Sequence, residues 1–206
     1  MSQQFGRTRW KRFAFILVPS IAAAAATAIG LAQGALAASF FISGKEFKIS
    51  ADSLTGEGFS LYGTVDVTRK RTPVPVVVAG FKSATIQGLC QSVVVPVPVL
   101  GPYTLTVTGG RRPTTAKNLF IDMATLEADQ ANFRRIDIGI AAGSLTVGEV
   151  SPGDRDSRFF DPNGFAQQAR SATLTDLRLT AVATSAGTFD VPGLKLSLDK
   201  GKDECF

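Results

Sequence analysis

The chain has 206 residues, with 22 Lys and Arg against 17 Asp and Glu, 45% apolar residues, two cysteines and no histidine. The missing histidine removes both Ser-His-Asp and Cys-His activation of a nucleophile, and it leaves any metal site to carboxylates alone. Arg7, Arg9, Lys11 and Arg12 all precede residue 13, and no acidic residue does; beyond that point the charge is nearly balanced, which argues against nucleic acid as a partner.

Those four basic residues lead into an uncharged run from Phe13 to Leu36 that ends in Ala35-Leu36-Ala37. A basic start, an apolar middle and a small-x-small end mark an export signal cleaved near Ala37. The run approaches the roughly 20 residues of a membrane span, so retention of residues 13–36 as an anchor, with membrane contact through that segment, is the alternative. The reading divides the chain into a signal over 1–37 and one domain over 38–206. The protein is placed outside the cell or on its surface.

After the signal, Phe40 and Ile42, then Phe47 and Ile49, alternate with polar neighbours as short strands do. Gly56 and Gly58 suggest a turn, followed by a half-buried strand from Phe59 to Val67 with Gly63 as a bulge. Pro73–Val78 and Val93–Leu100 are apolar but broken by prolines, which donate no backbone hydrogen bond, so neither reads as a central strand. The second run, through Val93, Val94, Val95, Val97, Val99 and Leu100, is the candidate apolar binding surface: an edge strand packed on the core, or the lip of a lipid-binding cavity or a surface that touches membrane. Tyr103, Leu105 and Val107 alternate with threonines up to Gly109-Gly110. Asp122–Asn132 is the one stretch that could make a short helix, although a loop fits as well. Ser151–Gln168 reads as a surface loop pinned by Phe159, Phe160 and Phe165.

The stretch Ser171–Leu198 holds further period-two patterns, at Leu177/Leu179 and at Leu194/Leu196/Leu198, each with one apolar face. Val191-Pro192-Gly193 interrupts them. Two echoes precede it: Leu119, Ile121, Phe133, Ile136, Ile138 and Ile140 match later apolar positions, and Ser83–Leu89 resembles Ser171–Leu177. The fold class is therefore all-β, a single-domain sandwich or partly open barrel; a β-solenoid, which the echoes favour but their uneven spacing does not, is second.

Cys90 and Cys205, an even pair in an exported chain, suggest one disulfide tying the tail to the middle. Asp154, Asp156 and Asp161 share a loop, but Arg158 and Phe165 occupy positions where a calcium loop needs ligands. The segment from Gly58 to Gly63 places Ser60 outside the lipase elbow spacing. No catalytic, cofactor-binding or metal residues are assigned, and no cofactor is expected.

The segments QFGRTRWKRF, ADSLTGEGF, FKSATIQGLCQSV, GFAQQARSATLTDLRLTAVATSAGTF and the ending ECF together resemble an uncharacterised family of short exported proteins of Streptomyces and related actinobacteria. Some members carry the label cholesterol esterase. The resemblance spans nearly the whole chain and both cysteines, implies export, and carries no site residues. The absent histidine and absent elbow speak against esterase chemistry. The expected role is a non-catalytic exported protein that binds a lipid or another apolar envelope component. A structural or adhesive surface protein is the alternative, and an unusual ester hydrolase is the least favoured.

Overall fold

The computed structural model describes residues 43–206. The expected export signal over residues 1–37, with Phe40 and Ile42, lies outside the described residues. Nine strands run β1 (Phe47–Val67), β2 (Pro73–Gln87), β3 (Cys90–Val97), β4 (Gly101–Thr108), β5 (Thr114–Glu127), β6 (Gln130–Ala141), β7 (Phe165–Ser185), β8 (Thr188–Asp190) and β9 (Lys195–Lys200). A 3-10 turn at Ala142–Ser144 and a one-turn helix, α1 (Pro152–Arg155), sit between β6 and β7.

All nine strands belong to one antiparallel sheet, in the order β6-β7-β5-β2-β1-β3-β4-β9 with β8 against β5. The long strand β7 also pairs with β1, so β1, β2, β5 and β7 follow one another in a ring. β6 and the three-stranded wing β3-β4-β9 extend beyond the ring, which makes this a curled, partly open barrel rather than a closed one. Antiparallel pairing throughout overturns the solenoid alternative, whose stacked rungs are parallel.

The echoes have a different origin. Ser83, Ala84, Thr85 and Ile86 pair with Glu57, Gly56, Thr55 and Leu54 of β1 from one side. Ser171, Ala172, Thr173 and Leu174 pair with the same four residues from the other. The two similar segments flank one central strand in matching register, so each meets the same steric environment.

The core fills the ring. Leu54, Ile86, Leu119, Ile121, Leu174, Leu177 and Leu179 are buried there, and Phe59 packs on Phe81 and Phe133 with ring centroids 5.4 and 5.2 Å away. The expected turn at Gly56 and Gly58 is absent: β1 runs straight through both. Gly56 leaves room for the Phe81 ring, which a Cβ would strike. Gly58, at φ 64°, takes the left-handed backbone open to glycine, and the inward side of β1 switches there with no change of register against β2 or β7. Before it Leu54 faces the ring interior; after it Phe59 and Leu61 do, while Tyr62 faces outward. Gly63 makes no bulge and pairs regularly with Val77.

Two further expectations need correction. Pro73–Val78 opens β2, a central strand between β1 and β5. The prolines are tolerated because pairing with β5 begins only at Val77, so Pro73 and Pro75 border β1 alone. Asp122–Asn132 is neither helix nor loop but the end of β5 and the start of β6. Leu119, Ile121 and Met123 alternate into the core, and pairing with two neighbouring strands overrides the weak helical spacing.

Residues 142–164 form a strap over the outer face of the ring, above a second apolar cluster that includes Tyr62, Val78, Phe120, Val150 and Val182. Phe160 meets Tyr62 edge-on at 5.7 Å, whereas Phe165 is exposed and pins nothing. The buried Ser60 hydroxyl donates to the Glu149 carbonyl at 2.7 Å. Gln168 Oε1 accepts the backbone N–H groups of Thr146 and Val147 at 2.8 and 2.9 Å. Gly148 lies so close that a Cβ would stand 2.5 Å from Ser60 Cβ and 2.6 Å from the Phe59 carbonyl oxygen. Gly148→Ala is expected to lower the urea midpoint by an amount worth about 1–3 kcal/mol, the usual cost of overpacking.

Candidate functional site

A ring of four strands with branched side chains on its inner face does not pack to full density everywhere. Where Ala51 replaces a large residue among Phe47, Ile49 and Leu54, a cavity of about 410 Å³ remains. It is lined from β1, β2, β5 and β7 by residues that include Leu54, Ile86, Ile121 and Leu179, and only Gln91 and Thr184 contribute polar side chains. Its volume falls within the roughly 300–1,000 Å³ typical of small-molecule sites. Leu54, Ile121, Leu177 and Leu179 form the layer between it and a smaller void of about 60 Å³ beneath Phe59, Phe81 and Phe133. Phe189, half-exposed on β8, borders the opening.

The inner face of the ring does not stop at that opening. Ile49 pairs with Gln91 on β3, Gln91 with Val107 on β4, and Val107 with Leu196 on β9. The face that lines the cavity thus continues onto the wing, where Val93, Leu105 and Leu198 form the next row. Val93–Leu100, the surface expected from sequence, belongs to this wing and lines no part of the cavity. Val93, Val94 and Val97 are half-buried, while Val95, Val99 and Leu100 are exposed. β3 pairs with β1 only over Cys90–Ser92, so the rest of β3 is free of β1, as its prolines require.

The C-terminal tail covers the other face of the wing. Cys90 and Cys205 form a disulfide. The Cys205 N–H donates to the buried Ser92 hydroxyl at 3.0 Å, and Thr104 Oγ1 donates to the Gly201 carbonyl at 2.9 Å. Lys48 reaches Glu204 at 3.2 Å and the Phe206 carbonyl at 2.8 Å. The tail therefore shields the hydroxyl-bearing face and leaves the aliphatic face uncovered. Leu194, Leu196 and Leu198 are 56%, 65% and 58% exposed.

A separate polar cluster lies under the strap. Tyr62 donates to Asp154 Oδ2 at 2.7 Å and accepts the Ser151 N–H at 2.8 Å. Burial, with the Asp154 charge beside it, holds the phenol far above its ordinary range. Burial raises the Asp154 carboxyl as well, opposed by its bond from Tyr62. Asp122 is pushed up to about 8, first by burial and then by the charges of Asp66 and Asp154. Asp66 rises to about 6, by burial and then by Asp154, offset by its bond to Asp122. Among the described residues no hydrogen-bond partner reaches Asp66 Oδ2, and the raised Asp122 carboxyl is the group that favours a proton between the two. Asp154 thus faces Tyr62 rather than joining Asp156 and Asp161. Among the described residues no group of three His, Cys, Asp or Glu side chains is arranged to hold a metal ion.

A family model described as a family of unknown function, DUF6230, matches residues 43–206. The chain belongs to that family. No curated protein and no solved structure matches it.

For this DUF6230 chain the functional geometry depends on contacts that local patterns do not carry. The cavity exists because β7 closes back onto β1, pairing Phe47 with Ala181 and Tyr62 with Ala166. Ala51 was the one available signal, a small residue inside an otherwise bulky alternation. The carboxyl cluster draws Asp66, Asp122 and Asp154 from three separate elements, and each looks like an ordinary solvated acid in the sequence.

Proposed function

We propose that this protein is an exported binder of a lipid or similar long-chain apolar component of the cell envelope, held inside the curled sheet. The single observation that carries this reading is the cavity of about 410 Å³ with aliphatic and aromatic walls and only two polar side chains. Such a site binds by removing apolar surface from water, at about 0.8 kcal/mol for each buried methylene before the costs of association. Gln91 and Thr184 supply hydrogen-bonding groups for a polar head, a division that suits an amphiphile with one long chain. The basic, then apolar, then small-residue N-terminus supports an extracytoplasmic setting in which such molecules occur.

The test is lipid mass spectrometry on protein purified without denaturant, followed by titration with a fluorescent long-chain fatty acid. Affinity should fall about fourfold for each methylene removed from the ligand. Ala51→Phe, which places a ring in the cavity, should weaken binding at least about tenfold, or 1.4 kcal/mol, without lowering the melting temperature. Unchanged affinity in that variant, together with no copurifying apolar ligand, would sink the reading.

A further inference from the structure

The wing β3-β4-β9 is inverted relative to an ordinary sheet layer. A one-faced antiparallel sheet normally buries its aliphatic side and wets its polar side. Here the disulfide-held tail lies on the side of Ser92 and Thr104. The opposite side presents Val93, Leu105 and Leu198 in one row and Val95, Tyr103 and Lys200 in the next. Lys200 is the only ionic side chain that the paired strands place on this face. It sits beside Tyr103, and this aromatic and basic pair suits the boundary between hydrocarbon and headgroup.

The β3–β4 tip extends the same character. Val99 is fully exposed at φ 71°, a left-handed conformation that a β-branched residue adopts only against steric cost. Leu100 beside it is also exposed. Pro96, Pro98 and Pro102 surround the tip and leave it poorly suited to pairing with a strand of another chain.

From this geometry we propose that the aliphatic face of the wing and its Val99-Leu100 tip dock onto a lipid bilayer surface, with the tip inserted among the acyl chains. Continuity of this face with the cavity lining through Ile49, Gln91, Val107 and Leu196 gives a bound chain a path between bilayer and cavity that is apolar except at Gln91. That second role rests on the lipid-binding reading above; docking itself does not.

The only tryptophan is Trp10, so Trp10→Phe in the full chain clears the background for a reporter. Leu100→Trp places that reporter at the tip, and Thr85→Trp places a control on an exposed position of β2. In phosphatidylcholine vesicles carrying brominated acyl chains, with and without phosphatidylglycerol, the tip reporter should lose most of its emission while the control keeps it. Adding Leu196→Asp and Leu198→Asp should abolish the quenching and slow fatty-acid transfer between vesicles. Equilibrium binding of a fatty acid supplied from solution should survive in that variant. Ala51→Phe should do the reverse, losing fatty-acid binding and keeping the quenching. Equal quenching of tip and control, or a tip spectrum that follows protein concentration without lipid and so reports a second copy, would overturn the docking proposal. Failure of Ala51→Phe alone would strike only the cavity.

Discussion

Replacing Cys90 and Cys205 together by serine should destabilise the domain by about 5 kcal/mol and lower its melting temperature by roughly 10–20 °C. The bond links residues 115 positions apart, so its loss returns to the unfolded chain nearly all the freedom that a long loop can hold. Against a total stability of about 5–15 kcal/mol for a single domain, that is a large fraction. The folded state suffers locally as well. Without the bond, Lys48–Glu204, the Cys205 N–H to Ser92 contact and the Thr104 to Gly201 contact become the ties between the tail and the wing. Hydrogen exchange should therefore quicken first in β3, β4 and β9 and last in β1 and β7. Thermal unfolding of the double variant checks the magnitude, and residue-level exchange checks the place. A melting temperature within a few degrees of the parent would show that the tail contacts hold without the bond.

What the sequence disclosed follows from which interactions are local. Alternation at Tyr103–Val107, Leu177–Leu179 and Leu194–Leu198 specifies strands, because period two is a property of the strand itself. The same alternation does not say whether the apolar face is buried. Leu177 and Leu179 lie inside the ring, and Leu196 and Leu198 lie in the open, although the two patterns look alike. The difference comes from the tail, which covers one face of the wing through a bond to a residue 115 positions away. Pro73 and Pro75 mislead for a related reason: proline reports on hydrogen bonding at its own position, and β2 gains its second neighbour only at Val77. Gly58 was legible as a special backbone position but not as the point where one long strand switches its inward side. A turn and a switch of face within a strand both use its positive φ, and only the unbroken register of β1 with two partners shows that the strand continues.

Stability should fall as pH rises from about 4 to about 8, and Asp122→Asn should remove most of that dependence. The unfolded carboxyl titrates near 3.8, and Asp122 in the folded protein near 8. A carboxyl held above its unfolded value keeps its proton longer in the native state. The native state therefore binds more protons than the unfolded chain across that interval. Its contribution is fully present below about 4 and is lost as pH climbs through about 6 for Asp66 and about 8 for Asp122. At about 1.4 kcal/mol for each tenfold change in proton affinity, the loss is on the order of a few kcal/mol. The strap feels it first, because ionised Asp122 adds a charge to Asp66 and Asp154 beneath it, and Asp154 is bonded to Tyr62. The amide of Asp122→Asn keeps a hydrogen-bond donor for Asp66 at every pH. Urea midpoints measured near pH 5 and pH 8.5 should differ clearly in the parent and by much less in this variant, where the raised Asp66 and Asp154 carboxyls keep a smaller dependence. A parent that is more stable at the higher pH would mean that the carboxyls under the strap are ionised and compensated, and that the proton assigned to Asp122 is not there.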